Sequence, residues 1–280
     1  MKFSLIIATY GRLLELEELF QSLIQQTYTN FEIIVVDQNE TLIDDLVLRY
    51  CELLPIKNIK SEKGLSKARN IGLKYAKGEI IAFPDDDCIY PADTLEKVNN
   101  FFLNNPSYSG LTGVPVDFKG GISTGNFQKK SCDLNKSNVW KTGISFTIFL
   151  KKEVCLKTGY FDENLGVGSR TKFGSGEETD YLIRCIDNNF KIKYYTDILI
   201  YHPDPFASGY KKSLHRAYSY GCGFGYVLKK HNYSLLIKAK YLLRPFLGFL
   251  LSSFYLNFDK AKFHFKVFQG RASGLFTRGN

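Results

Sequence analysis

No Cys-x-x-Cys pair occurs in this chain of 280 residues, and its six cysteines (Cys51, Cys88, Cys132, Cys155, Cys185, Cys222) are widely scattered. That spacing argues against a zinc knuckle and against a disulfide framework, and it fits reduced, half-buried thiols of a cytosolic protein. Missing too is any run of the about 18 uncharged apolar residues that a membrane span needs. The nearest approach, Leu235 to Tyr255, is interrupted by Lys238, Lys240, Arg244 and Pro245. The apolar stretch at the N-terminus ends at Ala8 and turns polar at Thr9 to Arg12. It is too short for a signal peptide and the right length for a buried strand. There is no internal repeat, no low-complexity tract and no phosphate-binding loop of the Walker spacing. Acids are in deficit: 28 Asp and Glu against 37 Lys and Arg leave a formal net charge of +9. Such a balance calls for an anionic partner, and nucleic acid, acidic lipid and a phosphorylated small molecule all satisfy it.

What is present is the composition of a folded protein, with 44% hydrophobic and 23% charged residues. The first hundred residues alternate strand and helix signals. Phe3 to Ala8 is a continuous apolar run, and Leu13 to Gln25 places Leu16, Leu19, Phe20, Leu23 and Ile24 on one helical face. Phe31 to Val36 is a second buried strand ending at Asp37. A short helix near Ile43 to Cys51, a weak strand at Lys57 to Lys60 and a helix from Ser66 to Ala76 follow, with Ser66 as N-cap. Glu79 to Phe83 is the next strand and leads into Pro84-Asp85-Asp86-Asp87, before a helix near Pro91 to Phe102. This progression predicts a mostly parallel sheet with right-handed crossovers, in which ligands sit beyond the carboxyl ends of the strands. Thr9, Tyr10, Asp37 and Asp85 to Asp87 occupy those ends. Gly110 to Asn138 reads as a mobile loop over the crevice, Glu177 to Ile186 as helix and Lys191 to Tyr201 as extended chain. From Gly209 onward the chain is aromatic, basic and helical in pattern.

Three constellations carry chemistry. Asp85 and Asp87, two apart on a turn after a strand, suit one hard cation such as Mg²⁺ or Mn²⁺. Acids crowded at the end of a buried strand repel one another unless a counter-ion is present. The segment Lys63-Gly64-Leu65-Ser66-Lys67-Ala68-Arg69-Asn70 leads a glycine and a serine into a helix N-terminus, which favours an anion. In Gly174-Ser175-Gly176-Glu177-Glu178-Thr179-Asp180, two glycines set up a helix that opens on carboxylates, one of which could serve as general base for a hydroxyl. Asp180 and Arg184, at i and i+4, fit a helix-surface ion pair.

Taken in order, Ser4-Leu5-Ile6-Ile7-Ala8-Thr9-Tyr10, Val35-Val36-Asp37, Gly64-Leu65-Ser66-Lys67-Ala68-Arg69-Asn70, Phe83-Pro84-Asp85-Asp86-Asp87, Gly159-Tyr160-Phe161-Asp162-Glu163 and Gly176-Glu177-Glu178-Thr179-Asp180 resemble the motif series of the family-2 glycosyltransferases. The resemblance covers roughly residues 3 to 205. It implies an α/β protein with a Rossmann-like, mixed, mostly parallel sheet, the A-type glycosyltransferase fold. The catalytic domain would be 1–205, with a nucleotide half at 1–110 and an acceptor half at 111–205. A C-terminal helical region, 206–280, would follow. The activity implied is inverting transfer of a sugar from a nucleotide-diphosphate sugar, a UDP-sugar by family habit, to a glycan or lipid-linked glycan in bacterial surface polysaccharide synthesis. Thr9, Tyr10, Arg12, Asp37, Gly64, Ser66, Arg69, Asp85 and Asp86 would then bind the nucleotide. Asp85 and Asp87, matching the family's Asp-x-Asp, would hold Mn²⁺ or Mg²⁺ with His202 as a further ligand, and Lys211, Lys212 and Arg216 would neutralise the diphosphate. Glu178 falls where the family places an aspartate base, with Glu177 beside it, and the choice between the two stays open. Asp37 is followed by Gln38-Asn39-Glu40, a departure from the family's acidic and serine residues that leaves base contacts there open. Trp140 lies in Ser137-Asn138-Val139-Trp140-Lys141 and not in the Gln/Arg-x-x-Arg-Trp of processive synthases, so transfer of single residues is expected.

Two other readings compete. A metal-dependent nucleotidyltransferase would carry a Gly-rich basic loop after the first strand, whereas Ala8-Thr9-Tyr10-Gly11-Arg12 has one glycine. The other is a non-enzymatic basic module binding nucleic acid or membrane, against which acids stand at the strand tips where a nucleic-acid site would place cations, so no nucleic-acid partner is expected. The tail from Tyr233 to Phe268 mixes apolar and aromatic residues with lysines and arginines. That fits either a helix packed on the catalytic domain or at a subunit interface, or a helix on an anionic membrane surface and so a cytoplasmic protein held peripherally on the membrane's cytoplasmic face.

Overall fold

The computed structural model describes residues 1–41, 43–123, 125–203 and 214–277. Its first strand, β1 (Phe3–Thr9), is buried at every position except the half-buried Ala8. An unbroken apolar run of this kind suits a strand covered on both faces. β2 (Phe31–Asp37) pairs with β1 in parallel, Phe3 opposite Phe31 and Thr9 opposite Asp37. β3 (Ile56–Lys60) extends the parallel ladder beyond β2, with Lys60 opposite Asp37, and β4 (Ile80–Ala82) flanks the other side of β1. The remaining strands are β5 (Gly110–Val116), β6 (Cys132–Asp133), β7 (Ile148–Lys151) and β8 (Ile192–Tyr201). The order across the sheet is β3-β2-β1-β4-β7-β5-β8-β6. β7 enters antiparallel between β4 and β5, β5 and β8 run parallel, and β6 closes the edge antiparallel. The sheet is therefore mixed and mostly parallel, as expected.

Helices cover it. α1 (Leu13–Ile24) turns Leu16, Leu19, Phe20 and Leu23 inward, and α2 (Asp44–Tyr50) adds Leu46 and Tyr50 to the same core. α3 (Leu65–Tyr75) lies so close to β1 that a Cβ on Gly72 would stand 2.3 Å from Ile6 Cγ2. α4 (Thr94–Asn104) buries Leu95, Val98, Phe101 and Phe102. α5 (Lys152–Thr158) and α6 (Glu177–Asp187) complete this part of the chain.

Two sequence expectations are corrected. Gly110 to Asn138 does not begin as a loop: residues 110–116 form β5, buried along its whole length. Its glycines, which hid the strand signal, are there for close approach. A Cβ on Gly110 would meet Leu150 Cδ2 at 2.6 Å, and one on Gly113 would meet the Ile198 carbonyl oxygen at 2.6 Å. Ser66 is also not the N-cap of α3, because the helix already includes Leu65, and its hydroxyl serves a long-range contact instead.

The chain divides into two compact units. One comprises residues 1–63, 67–161 and 181–204 and contains the whole sheet. The other comprises 64–66, 162–180 and 205–280. Its helices are α7 (Leu214–Lys230), α8 (Leu235–Phe254) and α9 (Phe258–Leu275). Ser234 and Asn257 cap α8 and α9, their side chains accepting from the backbone N–H of Ile237 and Lys260. α7 and α9 cross at backbone contact. A Cβ on Gly225 would stand 2.2 Å from the Arg271 carbonyl oxygen, and one on Gly274 would stand 2.0 Å from that of Cys222.

Candidate active site

The register of the parallel strands brings their polar tips together. Thr9 and Asp37 are partners across β1 and β2, and the chain after β4 continues alongside β1 through an Ala8–Asp85 bridge. Asp37 is fully buried, and its carboxylate accepts from the Asn39 N–H at 2.9 Å, from Asn39 Nδ2 at 2.8 Å and from Lys60 Nζ at 3.1 Å. Lys60 and Asn39 were not among the sequence candidates. The signal for Lys60 was available, since it ends β3 directly opposite Asp37. Tyr10 is half-exposed with Lys63 Nζ 4.2 Å above its ring.

Around the acid triplet the cations are built in. Arg12 Nη1 donates to Asp86 Oδ1 at 3.0 Å and to Asp87 Oδ2 at 2.5 Å. Arg69, buried on α3, donates to Asp85 Oδ1 at 3.0 Å, and Ser145 Oγ reaches both oxygens of Asp85 at 3.2 and 3.3 Å. Burial by itself raises all buried carboxyls. For Asp86 burial wins, seconded by Asp87, and its pKa is pushed up to about 6. For Asp87 the neighbouring His202 and Arg12 outweigh burial and hold it below the usual carboxylate value.

His202, immediately after β8, completes the cluster. Its ring stacks on Phe146 with centroids 4.6 Å apart, and its Nδ1 lies 2.7 Å from the Pro203 carbonyl oxygen. A carbonyl can only accept, so Nδ1 carries the proton and the neutral ring presents a bare Nε2. That Nε2 faces Asp87 Oδ1 at 3.2 Å, and two acceptors at this distance need a proton or a metal cation between them. The raised pKa of His202 records the same demand: burial would lower it, and Asp87 and Asp85 overcome burial. Asp85, Asp87 and His202 each offer a ligand atom within 4.8 Å of the others, and this nitrogen-and-oxygen set fits a divalent ion. The three metal candidates of the sequence are thus brought together, with Arg12 bonded to Asp87, Arg69 bonded to Asp85, and Asp86 held through Arg12.

The remaining candidates belong to the second unit. Gly64 adopts φ +142°, and Ser66 Oγ donates to the Leu165 carbonyl at 2.7 Å. The loop before α6 is fastened to α7. Gly174 N–H donates to Ser219 O at 3.1 Å, Ser175 Oγ donates to Tyr220 O at 3.0 Å, and a Cβ on Gly223 would sit 2.0 Å from Ser175 O. Glu177 is buried, its carboxylate within 3.2 Å of where a Gly166 Cβ would lie, whereas Glu178 is only half-buried. Both glutamates act electrostatically on half-buried Tyr220, over whose ring Arg216 lies at 4.7 Å. Lys211 and Lys212 lie outside the described residues. Asp180 is no surface pair. It is fully buried, and its carboxylate takes Lys230 Nζ at 2.9 Å and His231 Nε2 at 2.7 Å. Lys230 also reaches Asp162 at 2.7 Å, and the two acids overcome burial to raise its pKa.

A mixed sheet with metal-competent acids at its strand tips defines the class as the A-type glycosyltransferase fold. The chain matches the family described as Glycosyl transferase family 2 over residues 4–158, more than half its length, and belongs to it. Among its relatives, the minor teichoic acid biosynthesis protein GgaB of Bacillus subtilis (strain 168) is 31% identical over 182 residues, 61% of this chain and 20% of that protein. The chain thus spans about a fifth of that relative's length. S. aureus TarS 1-349, solved in complex with UDP-GlcNAc, matches with a TM-score of 0.62 at 20% identity over 98% of this chain and 91% of that one. The mannosyltransferase PcManGT from Pyrobaculum calidifontis, in complex with GDP-Man and Mn²⁺, matches with a TM-score of 0.65 at 17% identity over 98% of this chain and 87% of that one. At these identities the two structures speak for the fold.

Proposed function

We propose that the chain is an inverting, non-processive glycosyltransferase. It would move one hexosyl or N-acetylhexosaminyl unit from a UDP-sugar to a hydroxyl of a glycan or lipid-linked glycan, in bacterial surface polysaccharide synthesis. The observation that carries this reading is the convergence of Asp85, Asp87 and His202 at the strand tips of a family-2 chain. Likeness to a teichoic acid biosynthesis protein supports the polymer class, likeness to TarS with UDP-GlcNAc supports the donor, and likeness to PcManGT with Mn²⁺ supports the metal.

A divalent ion, Mn²⁺ or Mg²⁺, held by Asp85, Asp87 and His202 would supply positive charge to the leaving diphosphate. The chain's own residues do the rest. Thr9, Tyr10, Asp37, Asp86, Gly64 and Ser66 would bind the nucleotide, while Arg12 and Arg69 keep the acids oriented. Glu178 accepts the proton of the acceptor hydroxyl as its oxygen attacks the anomeric carbon from the face opposite the diphosphate, so the centre inverts. Glu178 is preferred to Glu177 because it is half-exposed, while Glu177 is buried against Gly166. Lys211, Lys212 and Arg216 balance the charge of the released diphosphate. The enzyme would work peripherally on the cytoplasmic face of the membrane. Among the described residues no helix is long and apolar enough to cross one.

The test combines UDP release with Mn²⁺ and a panel of UDP-sugars, and thermal stabilisation by UDP. Glu178→Gln should lose activity by at least about 100-fold while Mn²⁺-dependent stabilisation by UDP persists. A fully active Gln variant rejects Glu178 as base. Stabilisation by DNA but not by Mn²⁺ with UDP rejects the whole reading.

A further inference from the structure

α8 runs for 20 residues, about 30 Å at 1.5 Å per residue. One side of it packs on α9, with Phe246 on Phe268 and Phe249 on Phe265, both at 5.2 Å, and Gly248 against the His264 ring. The other side carries Leu236, Leu243, Leu247, Leu250 and Phe254 at steps of seven, four, three and four residues, a single helical stripe, and all five are exposed. The stripe runs into the turn between α8 and α9. There Phe254, Tyr255, Leu256 and Phe258 are exposed at 80%, 75%, 72% and 61%. Leu256 holds φ +55°, a left-handed conformation that a branched apolar residue rarely adopts, so the turn presents these side chains outward at some conformational cost. A contiguous apolar surface of this extent on a soluble domain marks a docking site.

The charge around it identifies the occupant. Lys238, Lys240, Arg244, Lys260, Lys262 and Lys266 are exposed or half-exposed on the two helices, and Asp259 is the one acid between residues 233 and 277. A second copy of this chain would bring two basic rims together, which is repulsive. An anionic bilayer offers acyl chains to the stripe and phosphates to the rim. A transmembrane course is excluded for α8 and α9 by their length and polarity.

We propose that the α8–α9 pair docks flat on an anionic membrane surface. The Phe254–Phe258 turn enters the headgroup–acyl boundary, and the lysines lie at the lipid phosphates. This rests on the proposed function only in that a lipid-linked acceptor would be met there. Lipid binding itself needs no transferase activity.

The experiment is co-sedimentation of the full chain with vesicles of phosphatidylcholine alone and with about one quarter phosphatidylglycerol. The chain should pellet with the anionic vesicles, and should be released by about 0.5 M NaCl. The triple variant Phe254→Ser, Leu256→Ser, Phe258→Ser should lose about tenfold in partitioning, and so should Lys240→Glu, Lys262→Glu, Lys266→Glu. All six positions are solvent-facing. Unchanged circular dichroism and unchanged stabilisation by Mn²⁺ with UDP in the variants would show that folding and the donor site are intact. That arm keeps a failure of membrane docking separate from a failure of the transferase reading. A Phe254→Trp variant should shift its emission to the blue on anionic vesicles. The proposal is overturned if the chain does not pellet, if the turn variant binds as well as the parent, or if light scattering shows a dimer that the turn variant dissociates. That last result would mean a second copy covers the face.

Discussion

Asp86 shows what the acid cluster costs the fold. It is buried beside two further carboxylates, and its pKa of about 6 lies well above the ordinary 3.8. A carboxyl whose folded pKa is raised binds its proton more tightly when folded, so its ionisation near neutral pH opposes folding. A shift of about two units corresponds to roughly 3 kcal/mol, of which losing the Arg12 contact would return about 1 kcal/mol. Asp86→Asn should therefore stabilise the metal-free chain by about 2 kcal/mol at pH 7 in urea unfolding. The gain should shrink as pH falls from about 6 to about 4, and disappear below that, where both states are protonated. No gain at pH 7 would mean that Arg12 neutralises the site more fully than the pKa indicates. Asp85, Asp87 and His202 could be chosen from their place after strands. Ser145 and Asn39 could not, because nothing in their neighbours in sequence says which carboxylate they will meet.

At the scale of elements, α7 and α9 are held by glycines spaced four apart on both helices, Gly221 and Gly225 against Gly270 and Gly274. Each would put a Cβ within 2.8 Å of backbone on the opposite helix. Backbone cannot rotate away as a side chain tip can, so Gly274→Ala must push the helices apart. It should cost more than about 3 kcal/mol in the urea midpoint, and a loss below about 1 kcal/mol would show that the crossing is looser than drawn. The same α7 backbone fastens the 174–176 loop ahead of Glu177, so activity should fall with stability in this variant. The helical nature of this region was legible from composition. Its glycine spacing was not read as packing, and the glycines of β5 were read as loop for the same reason: a residue without a side chain looks flexible until its neighbour is known.

For the whole molecule, all six cysteines are free, with Cys51 exposed, Cys132 partly exposed and the other four buried. Burial drives the Cys155 thiol up to about 12, and burial with the adjacent Asp85 and Asp87 carboxylates raises Cys88 well above its usual value. Only thiolates react with disulfide reagents. A thiol titration of the native chain should find Cys51 reacting fast, Cys132 slowly and the remaining four only after denaturation. Fast reaction of any of these four in the native chain would contradict the packing of the unit that holds it, Cys88, Cys155 and Cys185 lying in one and Cys222 in the other.

The sequence by itself determined the strand and helix succession of about the first hundred residues, the mostly parallel sheet and the acids at its tips. Each of these follows from local periodicity and from the rule that parallel strands end on one side. It also carried, through the order of its motifs, the family to which the chain belongs. Tertiary structure alone decided that β7 enters antiparallel beside β4, that Asp180 is buried against Lys230 and His231, and that Glu177 is buried while Glu178 is half open. It alone left an apolar stripe of α8 facing solvent. Those outcomes depend on which surfaces meet across long stretches of chain, and no local pattern of residues encodes which of two apolar faces will find a partner.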